Sequence, residues 1–177
     1  MQSFDGARVT VMGLGRFGGG LGVTRWLAEQ GADVLVTDLA LAEQLDDSIA
    51  SIRDLIDDGS VELRLGGHNI SDFTTCDVVI ANPAVPKPWE NRFLRAAEAA
   101  GIPITTEIRL TVERLPNRDH TIGVTGTAGK STTSAMIAHL LRDQGKRVWL
   151  GGNIGGSLLA NLHVMTGDDF VVLELSS

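Results

Sequence analysis

Gly126-Thr127-Ala128-Gly129-Lys130-Ser131-Thr132 brings the groups that can hold a polyphosphate into one short segment. Successive backbone amides of such a loop can wrap phosphate oxygens. Lys130 can neutralise charge on the outer phosphates, and the Ser131 hydroxyl can ligate Mg²⁺. The strict phosphate-loop pattern places a glycine five residues before the Gly-Lys pair. Val124 stands there and the nearby glycine is Gly123, so the strict pattern is missed by one residue. The plain alternative is a glycine turn with an exposed lysine, but Gly-Lys-Ser-Thr between a strand and a helix is a specific combination. Glu174 ends the apolar run that starts at Phe170. A carboxylate at a strand's carboxyl end could reach a cation held by Ser131, or be an ordinary surface acid. Gly151-Gly152-Asn153-Ile154-Gly155-Gly156 is a further glycine cluster, readable as a binding segment or as a crossover loop.

A second loop lies near the amino terminus. Gly13-Leu14-Gly15-Arg16-Phe17-Gly18 follows the strand-like run Arg8–Met12 and precedes a helical segment. This is the dinucleotide-type fingerprint in its proper setting: glycines admit a diphosphate close to the backbone, and the helix amino end favours its charge. Asp38 closes the next strand, where such folds place an acid on a ribose. The loop alone does not say which nucleotide it holds.

The elements that must position these loops alternate. Strands are expected at Ala32–Thr37, Val61–Leu65, Asp77–Ala81 and Ile102–Thr105, and helices at Gly18–Gln30, Leu41–Asp57, Asn91–Ala100 and Glu107–Arg114. Ile49, Ile52, Leu55 and Ile56 share one face of the second helix. Pro83, Pro86 and Pro88 stiffen the loop after Ala81. Leu115-Pro116-Asn117-Arg118-Asp119 reads as a linker. Beyond it, strand Thr121–Thr125, helix Ser131–Gln144 with Met136, Ile137, Leu140 and Leu141 on one side, strand Arg147–Leu150, helix Leu158–Met165 and strand Phe170–Leu175 repeat the alternation. The fold class is therefore α/β: a Rossmann-like parallel-sheet domain over residues 1–116, then the beginning of a P-loop-type α/β domain over 117–177. Three strands are thin for a complete second domain, so the chain is expected to be a front portion with no activity of its own.

Net charge −7 excludes a counterion-displacing nucleic-acid surface. Hydrophobic residues at 43% allow a buried core. The polar amino terminus shows no signal peptide, and no stretch reaches ~18 apolar residues, so no membrane span is expected. The single cysteine, Cys76, cannot form an internal disulfide, which fits a cytoplasmic protein. Cys76 reads as a small core residue, and His68, His120, His139 and His163 as structural or surface residues. Asp46-Asp47 and Asp57-Asp58 read as a solvated face.

Two nucleotide loops in tandem are unusual for a dehydrogenase, and here the chain resembles the Mur ligases. Gly126 to Thr132 is similar to their Gly-Thr-Asn-Gly-Lys-Ser/Thr signature. Gly151-Gly152-Asn153-Ile154-Gly155 and Leu173-Glu174-Leu175-Ser176-Ser177 resemble segments of the D-glutamate-adding branch, and Gly13–Gly18 and Ala81-Asn82-Pro83 correspond in order. The resemblance implies an ATP-dependent, amide-forming ligase acting on UDP-N-acetylmuramoyl-L-alanine and D-glutamate through an acyl phosphate, working as a monomer. It implies a first domain holding the uridine diphosphate, with Gly15, Arg16, Phe17 and Gly18 near the diphosphate, Asp38 near the uracil and Asn82 in the same site. It implies ATP at Gly126, Thr127, Gly129, Lys130, Ser131 and Thr132, Mg²⁺ at Ser131 and Glu174, and the sugar-linked substrate at Asn153 and Ser176. Lys130 and Glu174 would be the catalytic pair. Ala128 stands where the family usually has Asn and lacks that side chain's hydrogen bonds. Two other readings explain the first loop: a nicotinamide-dependent dehydrogenase, and a non-catalytic nucleotide sensor like the regulatory domains of potassium transporters. Both leave Lys130 and Ser131 idle.

Overall fold

The computed structural model describes residues 3–15, 19–82, 85 and 87–176. The chain divides into two compact units, Met1–Glu107 and Ile108–Ser177. In the first, β1 (Arg8–Met12), β2 (Asp33–Thr37), β3 (Val61–Arg64), β4 (Val78–Ala81) and β5 (Ile104–Thr105) form one sheet in the order β3-β2-β1-β4-β5. Every pairing is parallel. The interior strand β4, between β1 and β5, is buried along its whole length, as expected of a parallel strand covered on both faces.

α1 (Gly19–Glu29) packs on β1 and β2 and buries Val23, Trp26 and Leu27. Gly20 lets it approach so closely: a Cβ there would stand 2.2 Å from the Gly13 carbonyl oxygen and 2.3 Å from that of Leu14. The single helix expected over Leu41–Asp57 is instead a 3₁₀ turn at Ala42–Gln44, then α2 (Asp46–Ala50) and α3 (Arg53–Asp57). The breaks fall at Leu45 and Ile52, both non-helical and both buried, so packing of these two side chains overrides helical continuation. Between β3 and β4 lies α4 (Ile70–Thr74), too short to show a helical period in the sequence and capped by the Asn69 side chain. α5 (Arg92–Ala99) starts where Asn91 accepts from the amides of Phe93 and Leu94. Phe73, Phe93, Leu94 and Ala97 of α4 and α5 meet Met12, Val79 and Ala81 of the sheet, with Cys76 in the same core.

In the second unit β6 (Thr121–Val124), β7 (Val148–Gly152) and β8 (Phe170–Glu174) form a parallel sheet ordered β6-β8-β7. α6 (Glu107–Arg114) ends just before Leu115, which packs with Leu158, Met165, Val171 and Leu173. The segment read as a linker thus lies against the second unit, and the Asn117 amide donates to the Gly167 carbonyl at 3.0 Å. α7 (Lys130–Asp143) buries Ser134 and Ala138, with Ile137 and Leu141 packed beside Val124 and Val172. Met136 and Leu140, expected on the same side, are exposed. The expected helix Leu158–Met165 is a 3₁₀ segment, Leu159–Val164. Among the described residues, no helix is long and apolar enough to cross a membrane.

Candidate functional site

The sheet of the first unit reverses its winding between β1 and β4, and ligands of such sheets bind outside the strand ends at that switch point. A cleft of about 300 Å³ opens there, lined by Gly13, Gly15, Asp38, His68, Asn82 and Phe93 among others. Asp38 is fixed by backbone amides. Its Oδ2 accepts from Leu14 at 2.9 Å and Gly15 at 3.2 Å, and its Oδ1 accepts from Ala40 at 2.9 Å. The sequence pattern points Asp38 at a ribose or a uracil; its contacts within the chain are to amides of the glycine loop and of Ala40. The Ser48 hydroxyl of α2 donates to the Gly15 carbonyl at 3.0 Å, and the Asn82 amide donates to the Gly13 carbonyl at 3.4 Å. Gly15, Asp38 and Asn82 are therefore brought together at one cleft. Arg16, Phe17 and Gly18, along with Pro83 and Pro86, lie outside the described residues.

Ser48 and His68 were missed by the sequence reading. Ser48 gave no signal, being one polar residue in a polar helix. His68 could have been suspected from its position just after the strand end at Arg64 and the Gly66-Gly67 turn.

In the second unit the loop between β6 and α7 ends at Gly129, the N-cap of α7. The Lys130 ammonium donates to the Gly126 carbonyl at 2.7 Å, so the lysine lies along the loop whose amides it would complement. Thr127, Ser131 and Thr132 are exposed, and Ser131 has no hydrogen-bond partner among the described residues. β8 is central, so Glu174 sits in register with Val124 on one side and Gly152 on the other. It is 5% exposed, and its Oε2 is sealed from solvent with no partner. Burying a carboxylate oxygen without a partner is costly, and a cation beside it would relieve that cost.

The neighbouring glycine cluster is a built feature. A Cβ on Gly152 would stand 2.2 Å from the Glu174 carbonyl oxygen, and its φ of 94° also favours glycine. The Asn153 amide donates to that carbonyl at 3.0 Å. Ser176 donates its hydroxyl to Asn153 Oδ1 at 3.2 Å, and Thr125 donates its own to the Ser176 carbonyl at 3.3 Å. The ends of all three strands are tied together, with Asn153, Glu174 and Ser176 among them.

Two protein oxygens, a free serine hydroxyl and an orphaned carboxylate, fit Mg²⁺, which takes one or two protein ligands and completes its shell with water and phosphate. Among the described residues no group of three or more His, Cys, Asp or Glu could hold a metal without such help.

Two family models divide the chain much as its units do. That of the MurD-like N-terminal domain of Mur ligases matches residues 7–106, and that of the Mur ligase middle domain matches residues 124–177. The chain belongs to the Mur ligase family. A UDP-N-acetylmuramoylalanine--D-glutamate ligase of Roseiflexus sp. (strain RS-1) is 42% identical over 97% of this chain and 35% of that protein. A ligase of the same name from Borreliella afzelii (strain PKo) is 40% identical over 94% of this chain and 35% of its own length. The chain thus spans about a third of these relatives. The solved structure of a UDP-N-acetylmuramate:L-alanyl-gamma-D-glutamyl-meso-diaminopimelate ligase from Neisseria meningitides shares the fold. Its TM-score is 0.55 at 20% identity, covering 96% of this chain and 52% of that one. Within the Mur family the first unit corresponds to the MurD-like N-terminal domain and the second to part of the middle domain.

Proposed function

We propose that the whole protein is a cytoplasmic, ATP-dependent ligase that joins D-glutamate to UDP-N-acetylmuramoyl-L-alanine in peptidoglycan synthesis. In this chain, residues 1–116 hold the uridine nucleotide and residues 117–177 begin the ATP site. Two observations in the second unit carry the reading: Lys130 is hydrogen-bonded along its own glycine loop, and the buried Oε2 of Glu174 at the end of β8 has no hydrogen-bond partner among the described residues. A dehydrogenase or a sensor domain has no use for either, and the relatives' shared name supplies the substrates.

Amide formation from a carboxylate needs a leaving group. The muramoyl-alanine carboxylate takes the γ-phosphoryl group of ATP and ADP leaves; the amine of D-glutamate then attacks the acyl phosphate, losing a proton as the amide forms and phosphate leaves. The chain's residues serve this electrostatically. Loop amides from Gly126 to Gly129 cradle the phosphates, and Lys130 takes up charge on the outer ones. Thr127 lies within that cradle, and Thr132 follows it in the first turn of α7. Ser131 and Glu174 would hold Mg²⁺, which would neutralise charge on the phosphates. Asn153 and Ser176, hydrogen-bonded to each other, present polar groups to the sugar-linked substrate. Gly15, with Arg16, Phe17 and Gly18 of the same motif, would bind the uridine diphosphate, and Asp38 and Asn82 hydrogen-bond the loop at Leu14, Gly15 and Gly13.

Calorimetric titration of the chain with UDP, NAD and ATP tests the reading. Binding of both UDP and ATP supports it. NAD binding without UDP assigns the first unit to a dehydrogenase, and absence of ATP binding removes the role given to Lys130.

A further inference from the structure

The cleft of the first unit contains a histidine held in one orientation. His68 Nδ1 lies 2.8 Å from the Thr37 hydroxyl, and Thr37 is fully buried at the end of β2. Phe73 of α4 and Phe93 of α5 meet the imidazole edge to face, with centroids at 5.8 Å and 5.1 Å. Turning the ring over would exchange Nδ1 for a carbon and lose the Thr37 contact. The other nitrogen, Nε2, has no hydrogen-bond partner among the described residues, and His68 lines the cleft with Leu39, Val85 and Phe93. Burial lowers the histidine's pKa; Asp38 and Asp72 pull it up, and Arg92 adds to the lowering. A neutral imidazole offers one donor and one acceptor, and the rotatable Thr37 hydroxyl accommodates either tautomer.

Asp38 is differently placed, since both its oxygens already hold backbone amides. It sets the loop's shape, whereas His68 keeps a polar atom uncommitted beside apolar walls. We propose that His68 is a specificity-determining residue of this cleft: its Nε2 hydrogen-bonds the polar edge of the nucleotide's base, while Leu39, Val85 and Phe93 line the space around the flat ring. This rests on the reading that the first unit binds a uridine nucleotide. A phosphate-bearing ligand without a base would not engage His68.

The test is calorimetric titration of the full chain and of its H68A and H68Q variants with UDP and with inorganic pyrophosphate. H68A should weaken UDP binding about tenfold and leave pyrophosphate affinity unchanged. H68Q, which also carries a donor and an acceptor, should restore most of the UDP affinity. Equal losses for both ligands, or no rescue by glutamine, would make His68 a structural residue and overturn the proposal. Nitrogen-15 spectra of the wild-type histidine guard against misfolded variants: Nε2 should shift with UDP and not with pyrophosphate, and an unmoved resonance overturns the proposal. Failure of the wild-type chain to bind UDP would instead remove the uridine reading, whatever the variants do.

Discussion

Asp38 Oδ2 accepts the Gly15 amide at 3.2 Å, so the end of β2 holds the loop that follows β1. The same oxygen takes the Leu14 amide. Replacing Asp38 with alanine strips two loop amides of their acceptor. A lost hydrogen bond to a charged group costs roughly 1.5–3 kcal/mol, so Asp38→Ala should weaken UDP binding about tenfold to a hundredfold. Titration of the variant at fixed ionic strength checks this; an unchanged affinity would mean the loop keeps its shape unaided.

Lys130→Ala in the full-length protein should abolish turnover and leave UDP-precursor affinity nearly intact. Lys130 belongs to the second unit, and the residues lining the cleft proposed for the uridine nucleotide belong to the first. Losing one preorganised charge contact should cost ~3 kcal/mol or more in the transition state, about a hundredfold in rate. A parallel loss of precursor affinity in a binding assay would show that the two roles are wrongly divided.

Gly20→Ala should destabilise the first unit. The new methyl group would meet two backbone oxygens, and a carbonyl cannot rotate away as a side-chain tip can. Overpacking of this kind costs typically ~1–3 kcal/mol, and α1 must shift off β1 to relieve it. A thermal melt should show a lowered midpoint together with weaker UDP binding. An unaltered melt would contradict the close approach of α1 to the loop.

Asp169 couples the second unit to acid. It accepts the Trp149 indole at 2.7 Å and the Thr166 amide and hydroxyl at 3.1 Å and 2.9 Å. Burial pushes its pKa up, but these bonds, with Arg147 nearby, outweigh burial and hold it below the usual carboxylate value. The unfolded chain therefore binds the proton more readily. The stability Asp169 contributes is full above about pH 4, the unfolded value, and is lost as pH falls through the depressed folded pKa. Asp169→Asn should lower the melting point at neutral pH and flatten its decline on acidification. Fluorescence of Trp149, in a background with Trp26 and Trp89 replaced by phenylalanine, reports the transition, and parallel acid profiles for the two proteins would refute the assignment.

The sequence carried both loops because glycine, lysine and serine must be close along the chain to cradle a phosphate. The strands were legible for a similar reason: β1, β4 and β8 are apolar runs bounded by turns. α6 was read with its observed limits, Glu107–Arg114, because its charge and period agree. What stayed hidden depends on the third dimension. Leu45 and Ile52 carry helix-compatible side chains, and only their burial shows why the backbone breaks there. Spacing puts Met136, Ile137, Leu140 and Leu141 on one side of α7, but it cannot say which part of that arc faces so small a sheet, and Met136 and Leu140 are exposed. Ser48 and His68 join the cleft through contacts that span 33 and 31 residues of chain, and no local pattern encodes them.

The most direct test of the account is an amide-formation assay on the full-length protein with UDP-N-acetylmuramoyl-L-alanine, ATP and Mg²⁺, offering each candidate amino acid in turn. ADP release and an amide product are expected with D-glutamate, both lost in Lys130→Ala. Turnover with a different amino acid, or product formed without ATP, would contradict it.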